Sequence, residues 1–171
     1  MRSTPTLVEL ALLLLWLGGA ILFSAIVAPA LFATLPTRTL AGAVVGRVLP
    51  MIFYSGILVG IVTAVLDWQA RGEWSWRSGA TGGLVMVVSC AFAQLVISPR
   101  IDRIRESIGG VIDNLAPNDP RRAEFGKLHA VSVGWLGIAM LCAAIVAVIA
   151  ARSLHSTIAE DRTALPGISD L

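Results

Sequence analysis

Charge is scarce in this sequence, and its absence is patterned. Only 14% of the 171 residues are Asp, Glu, Lys or Arg, where a soluble domain carries about a quarter. Four stretches contain none: Leu10 to Thr37, Val48 to Leu66, Ser78 to Pro99 and Leu128 to Ala151. With 56% hydrophobic residues and a mean hydropathy of +0.81, the composition excludes an ordinary water-soluble domain. Histidine and cysteine occur twice each and tyrosine once. Neither Cys90 nor Cys142 belongs to a Cys-x-x-Cys pair, so the sequence offers no redox or zinc motif, and both read as small apolar packing residues. Strong net charge is lacking too, at +2, and nothing marks a nucleic-acid partner.

What is present is four runs long enough to cross a bilayer. A hydrocarbon core about 30 Å thick needs roughly 20 apolar residues at a rise of 1.5 Å. The expected fold is therefore an all-α, integral membrane, antiparallel four-helix bundle, with the lipid bilayer as its first partner. Residues 1–152 form the transmembrane domain and 153–171 a polar, disordered tail. The first run is too long for a signal-peptide core and reads as a retained helix.

Local signals place the breaks. Pro5 and Thr6 precede the first run, Leu35-Pro36 ends it, and Thr37 is placed to cap a second helix in which Pro50 introduces a kink. Trp74 and Trp76 mark a connection lying at the headgroup level. Ile101, Ile104, Ile108, Ile112 and Leu115 recur at spacings of three and four, extending the third helix beyond the lipid. Asp119 and Pro120 are an N-cap and a first-turn proline for the fourth helix, which runs to about Arg152. Eight basic residues (Arg38, Arg47, Arg100, Arg103, Arg105, Arg121, Arg122, Lys127) lie in the first and third connections or their flanks, against five (Arg2, Arg71, Arg77, Arg152, Arg162) on the other side. The positive-inside rule then makes that first group cytoplasmic and puts both termini outside, in a bacterial inner membrane.

Depth brings distant residues together. With alternating spans, the cytoplasmic third collects Arg47 and Tyr54 from helix two, Gln94 and Ser98 from helix three, and His129 and Ser132 from helix four. Polar groups in lipid need partners, so these six are the candidate binding residues. Two readings stand side by side: ordinary helix-to-helix hydrogen bonds in a connected network, or a polar pocket with His129 as proton acceptor or ligand. Glu9 and Asp67, near the opposite ends of spans, read as solvated carboxylates.

Metal and cofactor chemistry has little to stand on. Bis-histidine haem ligation needs two facing imidazoles, and His155 falls in the tail, leaving His129 alone. Met51, Met86, Met140, Cys90 and Cys142 supply the soft sulfur that suits copper, but at scattered depths. No cofactor, no metal-ligand set and no catalytic residue is assigned. Gly56-xxx-Gly60 and Gly79-xxx-Gly83 are ridges for close helix approach, within the bundle or in a homo-oligomer or with a membrane partner. The basic stretch from Arg100 to Lys127 is offset by Asp102, Glu106, Asp113, Asp119 and Glu124, and reads as a solvated connection before a partner or anionic-lipid site.

Four segments carry a family likeness: Trp16-Leu17-Gly18-Gly19 with Phe23-Ser24 and Val27-Ala28-Pro29-Ala30-Leu31-Phe32; Gly46-Arg47-Val48-Leu49-Pro50; Ile97-Ser98-Pro99-Arg100-Ile101; and Phe125-xx-Leu128-His129-xx-Ser132-Val133. In order and spacing they resemble bacterial four-span proteins of unknown function related to transmembrane protein 205. One departure is Gly134-Trp135-Leu136, where that resemblance implies a polar amide after Ser132. The resemblance implies an integral membrane protein without an established reaction. The eukaryotic relative's association with tolerance of platinum drugs hints at a small-molecule or metal substrate. A more distant likeness extends to copper-resistance D type proteins and to four-span protoporphyrinogen oxidases. The oxidases are expected to use a first-helix histidine, which this chain lacks. The function expected is thus a non-enzymatic transporter component or a binding and scaffold protein. The alternatives are a haem- or porphyrin-linked oxidoreductase or a copper-handling protein.

Overall fold

Hydropathy alone settles the element type, and the helices end where breakers fall. The computed structural model describes residues 3–71, 79–109, 115–116 and 118–163. Its elements are α1 (Ser3–Leu22), α2 (Ala28–Thr34), α3 (Arg38–Arg71), α4 (Gly79–Phe92), α5 (Ser98–Ser107) and α6 (Pro120–Thr163). Two π-turns, Phe23–Val27 and Ala93–Ile97, join α1 to α2 and α4 to α5. The result is four continuous apolar spans: Pro5–Thr34, Arg38–Gln69, Gly79–Ser107 and Pro120–Ser156, with mean hydropathies between 2.0 and 2.5. At 1.5 Å per residue each is longer than about 40 Å, so every span projects past a 30 Å hydrocarbon core. Leu15, Met51, Leu58, Leu95 and Leu141 point outward, a surface that suits lipid and would aggregate in water.

Both π-turns have the same cause. Pro29 and Pro99 occupy the second position of α2 and α5, where each lacks an N–H and crowds the carbonyl four residues back. The preceding turn widens, and the residue before each proline donates five residues back, Ala28 N–H to Phe23 O and Ser98 N–H to Ala93 O. Pro50, by contrast, sits inside the unbroken α3. Thr37 caps α3 as expected, its Oγ1 accepting from Leu40 N–H at 3.2 Å. Asp119 caps α6 through Arg121 N–H at 2.9 Å and grips the Arg121 guanidinium at 2.7 Å. Those bonds hold its carboxyl below the usual range. Past Ser107 the α5 helix stops at Gly109, whose φ of 64° is a left-handed end that glycine adopts freely. Residues 110–114, with Ile112, and the Trp74 and Trp76 connection lie outside the described residues. With no Gly or Pro between Arg152 and Thr163, α6 continues to Thr163, beyond the end near Arg152 that hydropathy alone suggested; residues 164–171 are outside the description.

Each span packs on its sequence neighbours and the fourth closes on the first, an up-down-up-down ring. Leu13, Trp16 and Ala20 of α1 meet Phe53 of α3, Met86 and Cys90 of α4, and Leu136, Ala139 and Ala143 of α6 in the core. The Trp16 indole donates to Ile52 O at 3.0 Å. It can do so because Gly56 is bare; a Cβ there would sit 2.8 Å from the indole and 2.7 Å from Cys90 Sγ. One turn on, α3 and α4 touch backbone to backbone. A Cβ on Gly60 would lie 2.7 Å from Gly83 O, and one on Gly83 would lie 2.6 Å from Gly60 O. The GxxxG ridges therefore serve packing within the bundle.

At that end of the bundle the structure corrects one expectation. Glu9 and Asp67 are buried, each 6% exposed, and not solvated. Asp67 Oδ2 accepts from Ala80 N–H at 3.0 Å, and a Cβ on Gly79 would lie 3.2 Å from Glu9 Oε1 and 3.4 Å from Asp67 Cγ. The first turn of α4 has orphan N–H groups and the positive end of a helix dipole. Asp67 of α3 thus caps the start of α4 from across the bundle.

Two outcomes follow for detergent-solubilised protein unfolded by SDS. Gly83→Ala lowers the unfolding free energy by about 1–3 kcal/mol through overpacking, whereas Gly18→Ala, with nothing within 4 Å, lowers it not at all. Asp67→Ala costs about 0.5–2 kcal/mol as a lost cap, and Asp67→Asn, which keeps an acceptor, costs less.

Candidate functional site

The end of the bundle opposite Asp67 is hollow. A cavity of about 380 Å³ opens among all four spans, within the size range of small-molecule sites. α2 contributes Phe32, and α3 contributes Arg38, Thr39, Gly42, Val45, Gly46, Leu49 and Pro50. From the third span come Gln94, Ser98, Ile101, Asp102 and Arg105, and from α6 Arg122, Phe125, His129 and Ser132. On α3, the third span and α6 the lining residues recur every three or four positions, singly or as adjacent pairs, so each of these helices turns one stripe toward the cavity.

Four of the six sequence-predicted residues line this space: Gln94, Ser98, His129 and Ser132. Tyr54 and Arg47 do not; both side chains face outward, Tyr54 with 54% exposure. Nor do the polar groups form the connected network that depth suggested. Ser98 Oγ donates to Ala93 O at 3.2 Å, the carbonyl at the π-turn, and lies 3.5 Å from Gln94 Oε1. Ser132 is 1% exposed and its hydroxyl has no hydrogen-bond partner. His129 stacks parallel to Phe125 with ring centroids 6.3 Å apart.

Arg105 is the residue that sequence reasoning missed. It crosses from α5 to α3, donating to Gly42 O at 3.2 Å. Its guanidinium carbon lies 5.5 Å from the Phe125 ring centroid, within cation–π range, and Asp102 is 4.0 Å away. Gly46 makes room for this: a Cβ there would come within 2.6 Å of the guanidinium. A signal was available, since Gln94, Ser98, Ile101 and Arg105 are spaced four, three and four apart, as are Arg122, Phe125, His129 and Ser132 at three, four and three. Charge assigned Arg105 to a solvated connection, and its shared face with Ser98 went unread.

Among the described residues no group of three or more His, Cys, Asp or Glu side chains converges as a metal site. What the cavity offers instead is guanidinium groups at its mouth, hydroxyl and amide groups deeper in, and aromatic and aliphatic walls. That arrangement can bind and orient a molecule.

A family model described as a domain of unknown function (DUF4149) matches residues 11–109, more than half of the chain. The chain belongs to the DUF4149 family. The matched region spans the first three helical crossings and α5, so the DUF4149 domain contains Gly42, Gly46, Gln94, Ser98 and Arg105, while Phe125, His129 and Ser132 come from the fourth span beyond it. No curated protein and no solved structure matches the chain significantly.

The orphan hydroxyl gives a stability readout. In ligand-free detergent, Ser132→Ala leaves the melting temperature unchanged or raises it, because a buried unpaired polar group is removed. A clear drop would reveal a partner for Ser132 within the fold.

Proposed function

We propose that this DUF4149 protein is a membrane-embedded binding protein, working as a transporter component or a scaffold, whose site is the hollow end of the bundle. The observation that carries this reading is Ser132: a polar side chain, buried, unpartnered and lining a cavity. A hydroxyl left unsatisfied in a dry core costs about 1–3 kcal/mol, a cost that a bound molecule with an acceptor removes. Gln94, Ser98 and His129 line the same space and add further donors and acceptors. The arginine bias of the first and third connections supports placing this end in the cytoplasm of a bacterial inner membrane, with both termini outside. The resemblance in the Trp16 and His129 segments supports kinship with the transmembrane protein 205 relatives. The scattered sulfur ligands and the single cavity histidine give the copper and haem readings less support than a binding role has.

Thiol accessibility tests this. In a background with Cys90 and Cys142 replaced by alanine, Gln94→Cys reacts with a small, membrane-impermeant thiol reagent applied to the cytoplasmic face. Ala93→Cys, next to it and fully buried, reacts far more slowly. Equal rates at the two positions would remove the cavity as a site.

A further inference from the structure

We infer that the cavity binds an anionic amphiphile, with a phosphate-bearing lipid headgroup at the arginine rim and its apolar part against the cavity wall. This deepens the binding reading above and rests on it. Charge argues for an anion: Arg38, Arg105 and Arg122 line the mouth against a single carboxylate, Asp102. Basic pockets between transmembrane helices at the headgroup level are suited to lipid phosphates, and guanidinium matches phosphate geometry with paired donors.

Arg105 shows that the rim is built and not merely snorkelling. Long basic side chains near the ends of membrane helices usually reach out to water. This one turns inward, its Nη2 anchored on Gly42 O and its guanidinium occupying the space that Gly42 and Gly46 leave open. Asp102 lies 4.0 Å from the guanidinium and is well exposed. A guanidinium has five N–H donors, so Arg105 is fixed in place with donors to spare.

The wall argues for an amphiphile over a free anion. From Arg105 to Gln94 the cavity stripe runs eleven residues along the third span, about 16 Å at the helical rise. Phe32, Leu49, Pro50 and Ile101 line its flanks, and Ser132 and Gln94 lie inward of the arginines. A small anion would fill only the rim. A lipid fills the length, presenting an ester or glycerol oxygen to the Ser132 hydroxyl.

The test uses the full chain in a neutral maltoside detergent, with dioleoyl phosphatidic acid, dioleoyl phosphatidylcholine and inorganic phosphate as probes, read by native mass spectrometry and by thermal shift. Phosphatidic acid is expected to bind saturably at one copy per chain, at least about tenfold more tightly than phosphatidylcholine, given the strength of charge-assisted bonds. Arg105→Gln weakens it by about tenfold or more, and Ser132→Ala by about fivefold. The decisive variant is Gly46→Ala, which keeps every charge but pushes the guanidinium out of its groove; it weakens phosphatidic acid binding by as much as Arg105→Gln does, while the ligand-free protein stays folded with only a small drop in melting temperature. Arg105→Lys, which keeps the charge without the fork, does not restore full affinity. Equal affinity for the two lipids, or no effect of Gly46→Ala and Arg105→Gln, would overturn the inference. So would inorganic phosphate competing as well as phosphatidic acid, since that outcome identifies a free-anion site. If Gln94→Cys is accessible while phosphatidic acid shows no preference, the binding cavity stands and the anionic class fails. If Gln94→Cys is closed, both fall.

Discussion

Inside hydrocarbon there is no water to take up an unused donor or acceptor, and this constraint organises the molecule. Continuous helices satisfy the backbone internally. Where Pro29 and Pro99 break that pattern, a π-turn rearranges the pairing in place of an open loop. Where α4 starts with unpaired N–H groups, Asp67 reaches across from α3 to accept one of them. The Trp16 indole finds Ile52 O. Three buried hydroxyls among the described residues, those of Thr63, Ser89 and Ser132, keep no partner, and of these Ser132 lines the cavity at the hollow end.

Much of the fold was legible because hydropathy depends on composition over long windows, and four uncharged runs leave few solutions. Caps were legible for a local reason: Thr37 and Asp119 act within three residues of themselves, so the chain's own order carries the information. Glu9 and Asp67 were misread because their burial depends on residues far away. The start of α4 that needs them is built from Gly79 and Ala80, which carry no polar side chain of their own. Nothing in the neighbourhood of Asp67 announces that need.

The site was half legible, for a related reason. Gln94, Ser98, His129 and Ser132 are polar residues in apolar surroundings, and such residues stand out by contrast. Arg105 has no contrast, because it sits among Arg100, Arg103 and Glu106 in a sequence that looks wet. Its role comes from a register shared with Ser98 and from the missing side chain at Gly46, a property of a different helix. Tyr54 and Arg47 matched the depth of the others but not their face, since depth fixes height along a helix and leaves rotation about it free.

The two ends of the bundle are therefore mechanically unlike. Gly56, Gly60, Gly79 and Gly83 bring helices into hard contact on one side, with the Asp67 to Ala80 bond closing that end. The arginine-bearing ends are held apart around open volume. Four rods clamped at one end and parted at the other are built like a clothes peg: the tight half is the natural fulcrum, and any widening of the cavity would fall on the loose half and leave the joint in place.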